Sequence, residues 1–171
     1  MSDAVIVESS GGVVEVRLNR PEKRNAIDSE IIEGLLRALK TIRENRSARV
    51  VVLSGEGRGF CAGLDMANFG NMVSGDLSAE GAAEAYEYGI ATMLSDNPRQ
   101  QALKLARTMA GRNPDAVRAG KKLLNDAMFN STYDGLVAES NCSRKLIGTP
   151  NQIEAIMSGF ESREPKFSDP G

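Results

Sequence analysis

The chain reads as an α/β fold followed by a helical C-terminal part. Three observations predict this: short β-branched runs either side of a Gly-Gly pair, an apolar helical period lying between two such runs, and almost unbroken helical patterning after residue 82. Its 171 residues suffice for one ordinary domain, or for a small domain with a helical appendage. A composition of 41% hydrophobic and 26% charged residues is that of a folded globular chain.

In chain order, residues 4–7 and 13–18 flank Gly11-Gly12 and predict a hairpin with a tight glycine turn. A polar loop over residues 19–25 follows. Ile31, Ile32, Leu35, Leu36, Leu39 and Ile42 then recur at helical spacing behind Asp28 and Ser29 as caps, which predicts an amphipathic helix ending near Asn45. The continuous apolar run 50–53, between Arg49 and Ser54-Gly55, has the pattern of a strand buried on both faces. Strand, helix, strand implies a crossover and at least one parallel pairing.

A Gly/Ser/Asp-rich stretch, residues 70–80, separates a first part (1–80) from a second (81–171). The second part is helical apart from an expected short strand at residues 90–93. Asn97-Pro98, Asn113-Pro114 and Thr149-Pro150 each place a cap before a proline at the first helical position. Behind them run the apolar sets Ala102, Leu105, Ala106, Met109; Val117, Leu123, Leu124, Ala127, Met128; and Ile153, Ile156, Met157, Phe160. A fainter helix is expected around Leu136, Val137, Leu146 and Ile147, making four helices whose surplus apolar surface would pack on the sheet or on another subunit.

Composition also limits the chemistry. A net charge of −2 supplies no bulk field for nucleic acid or an anionic membrane. Residues 1–10 lack a signal-peptide core and no apolar run reaches membrane-spanning length, so the cytoplasm is the default expectation. Cys61 and Cys142 are the only cysteines, against a disulfide framework or a thiolate metal site, and no metal is expected. With no histidine, Ser-His-Asp and Cys-His catalysis are excluded, and any proton transfer falls to carboxylates or lysine.

Residues 55–66, GEGRGFCAGLDM, follow the apolar strand and lead toward an expected helix, so the amides near Gly63 and Leu64 are placed like donors at a helix N-terminus. A carbonyl that gains negative charge needs such preorganised donors, and losing one typically costs about 10²–10³ in rate. The plainer alternative is a glycine-rich strand-to-helix turn with Asp65 as a helix-terminal charge.

Residues 14–28, VEVRLNRPEKRNAID, and 50–66, VVVLSGEGRGFCAGLDM, resemble in order and spacing the N-terminal part of enoyl-CoA hydratases and isomerases, the crotonase family. The C-terminal segments 82–93, 114–125 and 160–167 resemble later stretches of the same family. The resemblance implies an incomplete ClpP/crotonase-type ββα core and a helical C-terminal domain that assembles trimers or hexamers. It implies hydration or isomerisation of an enoyl-CoA through an oxyanion-stabilised enolate, with no cofactor beyond the CoA of the substrate. By similarity the amide of Leu64, after Gly63, is one oxyanion donor, and Ala62 and Asp65 flank CoA. Lys23 and Arg24, in the loop ending at Ala26, lie near phosphate, and Lys166 reaches the CoA phosphate of a neighbouring subunit. For Lys23, Arg24 and Lys166 a solvated basic side chain is the alternative, as it is for Lys121 and Lys122.

Between Glu80 and Ala82 the resemblance breaks. The family's second glycine-rich oxyanion loop and its acid–base carboxylates have no counterpart, and Glu84 and Glu87 belong to the downstream helix. A stretch absent from the sequence, a real deletion leaving a CoA-binding or structural oligomer, and a working variant using other carboxylates all fit this gap.

Overall fold

The computed structural model describes residues 4–63 and 92–169. They form two compact units, Met1–Arg107 and Thr108–Gly171. The junction expected at residues 80–81, the glycine-rich stretch before it and the start of the expected 90–93 strand lie outside the described residues. Thr92 and Met93, its described end, are not in a strand.

The first unit opens with β1 (Val5–Ser10) and β2 (Val13–Leu18), antiparallel with Val5 opposite Leu18. Gly11 and Gly12 both have positive φ, the backbone whose twist matches a two-residue hairpin. Helix α1 (Ser29–Glu44) starts where Asp28 accepts a hydrogen bond from Ile31 N. It leads to β3 (Val50–Gly55), which pairs parallel with β2, Leu18 beside Gly55. The expected crossover is therefore present, and the sheet order is β1-β2-β3.

The core lies between α1 and one sheet face: Val5, Val14, Val16 and Leu18 meet Ile31 and Ala38, with Leu35 and Ile42 at the margin. Gly34 allows this approach, because a Cβ there would lie 2.6 Å from Val5 Cγ2. That contact marks the side of α1 over β1. Ile32, Leu36 and Leu39 project from the flank away from β1 and are exposed.

β3 is not buried on both faces: Val52 is buried, but Val51 and Leu53 are 47% and 49% exposed. Their register puts them on the same face as Val14 and Val16, yet α1 packs over β1 and β2 and leaves them uncovered. A continuous apolar run reports the demand for cover on two faces, not its supply.

Helix α2 (Pro98–Ala110) starts and stops where expected but buries only Ala106 of the expected stripe, together with Ala110. Ala106 and Ala110 are buried, while Ala102, Leu105 and Met109 are exposed. In the second unit, α3 (Pro114–Ala127), α4 (Thr132–Leu146) and α5 (Pro150–Phe160) follow, α4 being the helix with the faint sequence signal. Asn113 and Ser131 cap α3 and α4 through their side chains. Helix α5 turns Asn151 and Ser158 inward and leaves Ile153, Ile156, Met157 and Phe160 exposed. No helix among the described residues is long and apolar enough to cross a membrane.

Candidate functional site

Parallel neighbours end at the same edge of a sheet, so the loops that leave β2 and β3 emerge side by side. The first, residues 19–27, contains a single 3₁₀ turn, Pro21–Lys23, closed by Arg24 in the left-handed region. The second is the glycine-rich loop from Gly55 to Gly63. Two backbone hydrogen bonds stitch them together: Ala62 N donates to Arg24 O at 2.9 Å, and Ile27 N donates to Gly63 O at 2.7 Å.

That stitching brings together Lys23, Arg24, Ala26, Ala62 and Gly63. Lys23 and Arg24 point into solvent, Ala26 is buried, and Ala62 and Gly63 are exposed. Gly63 has φ +90°, a conformation that suits glycine, and its N–H meets Cys61 Sγ at 3.4 Å. Thiol sulfur is a weak acceptor, so this donor is readily given up to an oxygen. Leu64 and Asp65 lie outside the described residues. Lys166 belongs to the second unit, where its side chain is exposed and its backbone N–H donates to Glu154 Oε1 at 2.6 Å. Lys122 pairs with Asp126 at 2.7 Å on the exposed face of α3.

The residue that joins the two loops most firmly was not singled out from the sequence. Asn25 is fully buried. Its Oδ1 accepts from Arg20 N, and its Nδ2 donates to Glu56 O and to Gly59 O, each at 2.9 Å. The available signal was an Asn in a Pro-containing polar turn, a residue that tolerates left-handed φ. Its partners on the second loop lie more than thirty residues away, and no local pattern announces them.

Asp28 and Glu56, two of the described carboxylates near this edge, are already engaged. Asp28 caps α1 and pairs with Arg20, and Glu56 lies 2.8 Å from Arg17 Nε. On the sheet face opposite α1, buried Glu15 is gripped by Arg99 and Arg17, and Glu8 by Arg17. The hydrogen bond from Arg99 holds Glu15 below the usual carboxylate range, and that from Arg17 does the same for Glu8. A carboxylate so stabilised is a weak base. No group of three or more metal-ligating side chains occurs among the described residues.

Comparison with known proteins now places this arrangement. The sequence model of the enoyl-CoA hydratase/isomerase family matches residues 8–81, which include both stitched loops. These 74 residues are thus similar to the enoyl-CoA hydratase/isomerase family. The match stops where the sequence resemblance breaks. Probable enoyl-CoA hydratase echA6 of Mycobacterium bovis is 40% identical over 60 residues, 35% of this chain and 24% of that protein. The matched stretch thus spans about a quarter of the length of the first curated relatives. Probable enoyl-CoA hydratase 2, mitochondrial, of Arabidopsis thaliana is 20% identical over 249 positions, covering 94% of this chain and 83% of its own. Since 249 positions exceed 171 residues, that relative carries sequence with no counterpart here. Small ribosomal subunit protein mS47 of Schizosaccharomyces pombe is 31% identical over 138 residues, 79% of this chain and 32% of that one. Crystal structures of enoyl-CoA hydratases from Bacillus anthracis and Mycobacterium tuberculosis superpose with TM-scores of 0.83 and 0.84, at 19% and 17% identity. They cover 98% and 99% of this chain and 100% of their own. The fold is of the crotonase type.

Proposed function

We propose that the paired loops at the C-terminal edge of β2 and β3 bind the thioester end of an acyl-CoA, and that the associated chemistry is hydration or isomerisation of an enoyl-CoA. The observation that carries this reading is the two-bond stitch between residues 24–27 and 62–63, which places a basic turn beside exposed glycine backbone. The amide after Gly63 would meet the thioester oxygen as it gains charge, and Lys23 or Arg24 would lie toward the CoA phosphates. Asp65 and Lys166 belong to the same proposal as CoA contacts, and CoA arrives as part of the substrate.

Chemistry requires two oxyanion donors and a carboxylate that moves a proton; the sequence offers one such donor loop. A polypeptide of these 171 residues is therefore expected to bind acyl-CoA but to hydrate crotonyl-CoA negligibly, while a longer chain containing the family's middle block is active. Exposed apolar stripes on α3 and α5 support assembly as a homotrimer or hexamer, since monomers seldom leave such patches open.

A second reading is a catalytically inactive CoA-binding or structural oligomer. It is favoured by the mS47 match, whose 138 positions cover 79% of this chain with no large inserted block. Calorimetry with CoA, acetyl-CoA and acetate separates the two, together with the loss of enoyl-thioester absorbance in the short and long chains and in Asp65→Asn. Equal or absent binding of all three ligands removes the acyl-CoA reading. Robust turnover by the short chain refutes the single-donor argument, and its abolition in a folded Asp65→Asn makes Asp65 the acid–base candidate.

A further inference from the structure

We propose that Asn25 is a positioning residue, whose carboxamide fixes where the 55–63 loop, and with it Gly63, stands relative to the basic turn. The proposal deepens the acyl-CoA reading and rests on it for its ligand arm. Arg24 and Asn25 have φ of 51° and 55°, two successive non-glycine residues in the left-handed region. Such backbone persists only where its surroundings over-determine it. At Asn25 the side chain does so, accepting from Arg20 N on its own loop and giving both amide protons to Glu56 O and Gly59 O on the other.

No side chain of the same size substitutes. Aspartate has no donor at neutral pH, and serine has one. Gly55 makes the same point from the other side of the joint. A Cβ there would lie 2.7 Å from Asn25 Nδ2 and 2.4 Å from Phe60 O, so β3 ends in a residue without a side chain and the carboxamide reaches the loop. The stitch at Ala62 and Gly63 pins the far end of the loop, and Asn25 pins the near end. Cys61 sits between these anchors, half-buried, with its sulfur beside Gly63 N.

Cys61 is thus a built-in reporter of loop position, and Cys142 in the second unit is its internal reference. The experiment alkylates the full 171-residue chain with iodoacetamide and compares Cys61 with Cys142 by mass spectrometry, in wild type, Asn25→Asp and Gly55→Ala. Each ratio is normalised to wild type at the same pH, and circular dichroism monitors folding. Loosening the hydrogen bonds to the Glu56 and Gly59 carbonyls should raise the Cys61 ratio about tenfold or more at pH 7.5 in both variants. In Asn25→Asp the ratio should fall back as the introduced carboxyl is protonated and regains a donor, while Gly55→Ala shows no such recovery. Unchanged ratios in folded variants overturn the proposal, as does a rise in Asn25→Asp without acid recovery. If Asn25→Asp does not fold, Gly55→Ala decides. Titration with acetyl-CoA supplies the ligand arm: binding should weaken about tenfold in any variant whose loop is loosened. Undiminished binding there overturns the positioning role. A wild type that binds no acetyl-CoA sinks the acyl-CoA reading instead, and the Cys61 ratio still judges Asn25.

Discussion

The two compact units bury different mixtures of side chain. In the first, Ile31, Val14 and Val16 disappear between α1 and the sheet, whereas in the second the buried side chains include Asn151 and Ser158, and Leu124, Met128, Phe129 and Phe160 face solvent. Each unit also has a buried asparagine as a knot. Asn25 ties two loops in the first, and in the second Asn151 donates to Asp115 Oδ2 and Ser168 O and accepts from Ser168 N. The contrast teaches that the first unit is held by apolar burial within itself. The second has polar ties at Asn151 and leaves Leu124, Met128, Phe129 and Phe160 exposed.

The largest effect that tests this contrast is expected from Ile31→Ala. Ile31 is fully buried, so the cavity should cost about 2–5 kcal/mol in urea denaturation. A loss below about 1 kcal/mol would mean that α1 does not anchor the core as described. Next comes Asn151→Leu, which strands Asp115 and the Ser168 backbone and should destabilise the second unit by about 1–3 kcal/mol, read by hydrogen exchange of α5. Undiminished protection there would deny the polar knot. Gly34→Ala sets helix propensity against packing. Alanine gains about 1 kcal/mol in a helix, but overpacking against Val5 costs about 1–3, so a modest net loss is expected and a higher Tm would contradict the close contact.

Met128→Ser with Phe129→Ser should move the monomer's stability by no more than about 0.5 kcal/mol, since both side chains are exposed. If these residues serve assembly, light scattering should show a smaller particle; an unchanged oligomer, or a stable wild-type monomer at micromolar concentration, removes them from that role. The smallest effect concerns acid. Glu154 is lowered to about 2 by its hydrogen bonds from Arg163 and from the backbone of Lys166. A depressed carboxyl contributes fully above its ordinary value near 4.5 and loses that contribution as pH falls toward 2. The C-terminal tail should therefore stay docked at pH 5 and loosen between pH 4.5 and 2, as NMR titration of Lys166 would record; loosening already at pH 6 would contradict the pairing.

The sequence by itself determined what depends on near neighbours along the chain. The glycine pair, the Asp28 cap, the 3.6-residue period of α1 and the three prolines opening α2, α3 and α5 gave correct elements, because caps, turns and periodicity act over a few residues. The two loop motifs carried the family resemblance for the same reason, being short contiguous stretches. Only the tertiary structure decided which apolar residues are covered. Val51 and Leu53 belong to a run that reads as buried, yet α1 sits over β1 and β2. Of the expected α2 stripe only Ala106 is covered, joined by Ala110, and α5 presents its apolar side outward. Asn25 is the sharpest case. Its turn preference is local, but its burial and its hold on Glu56 and Gly59 exist only because parallel pairing of β2 with β3 brings residues thirty apart to one edge of the sheet.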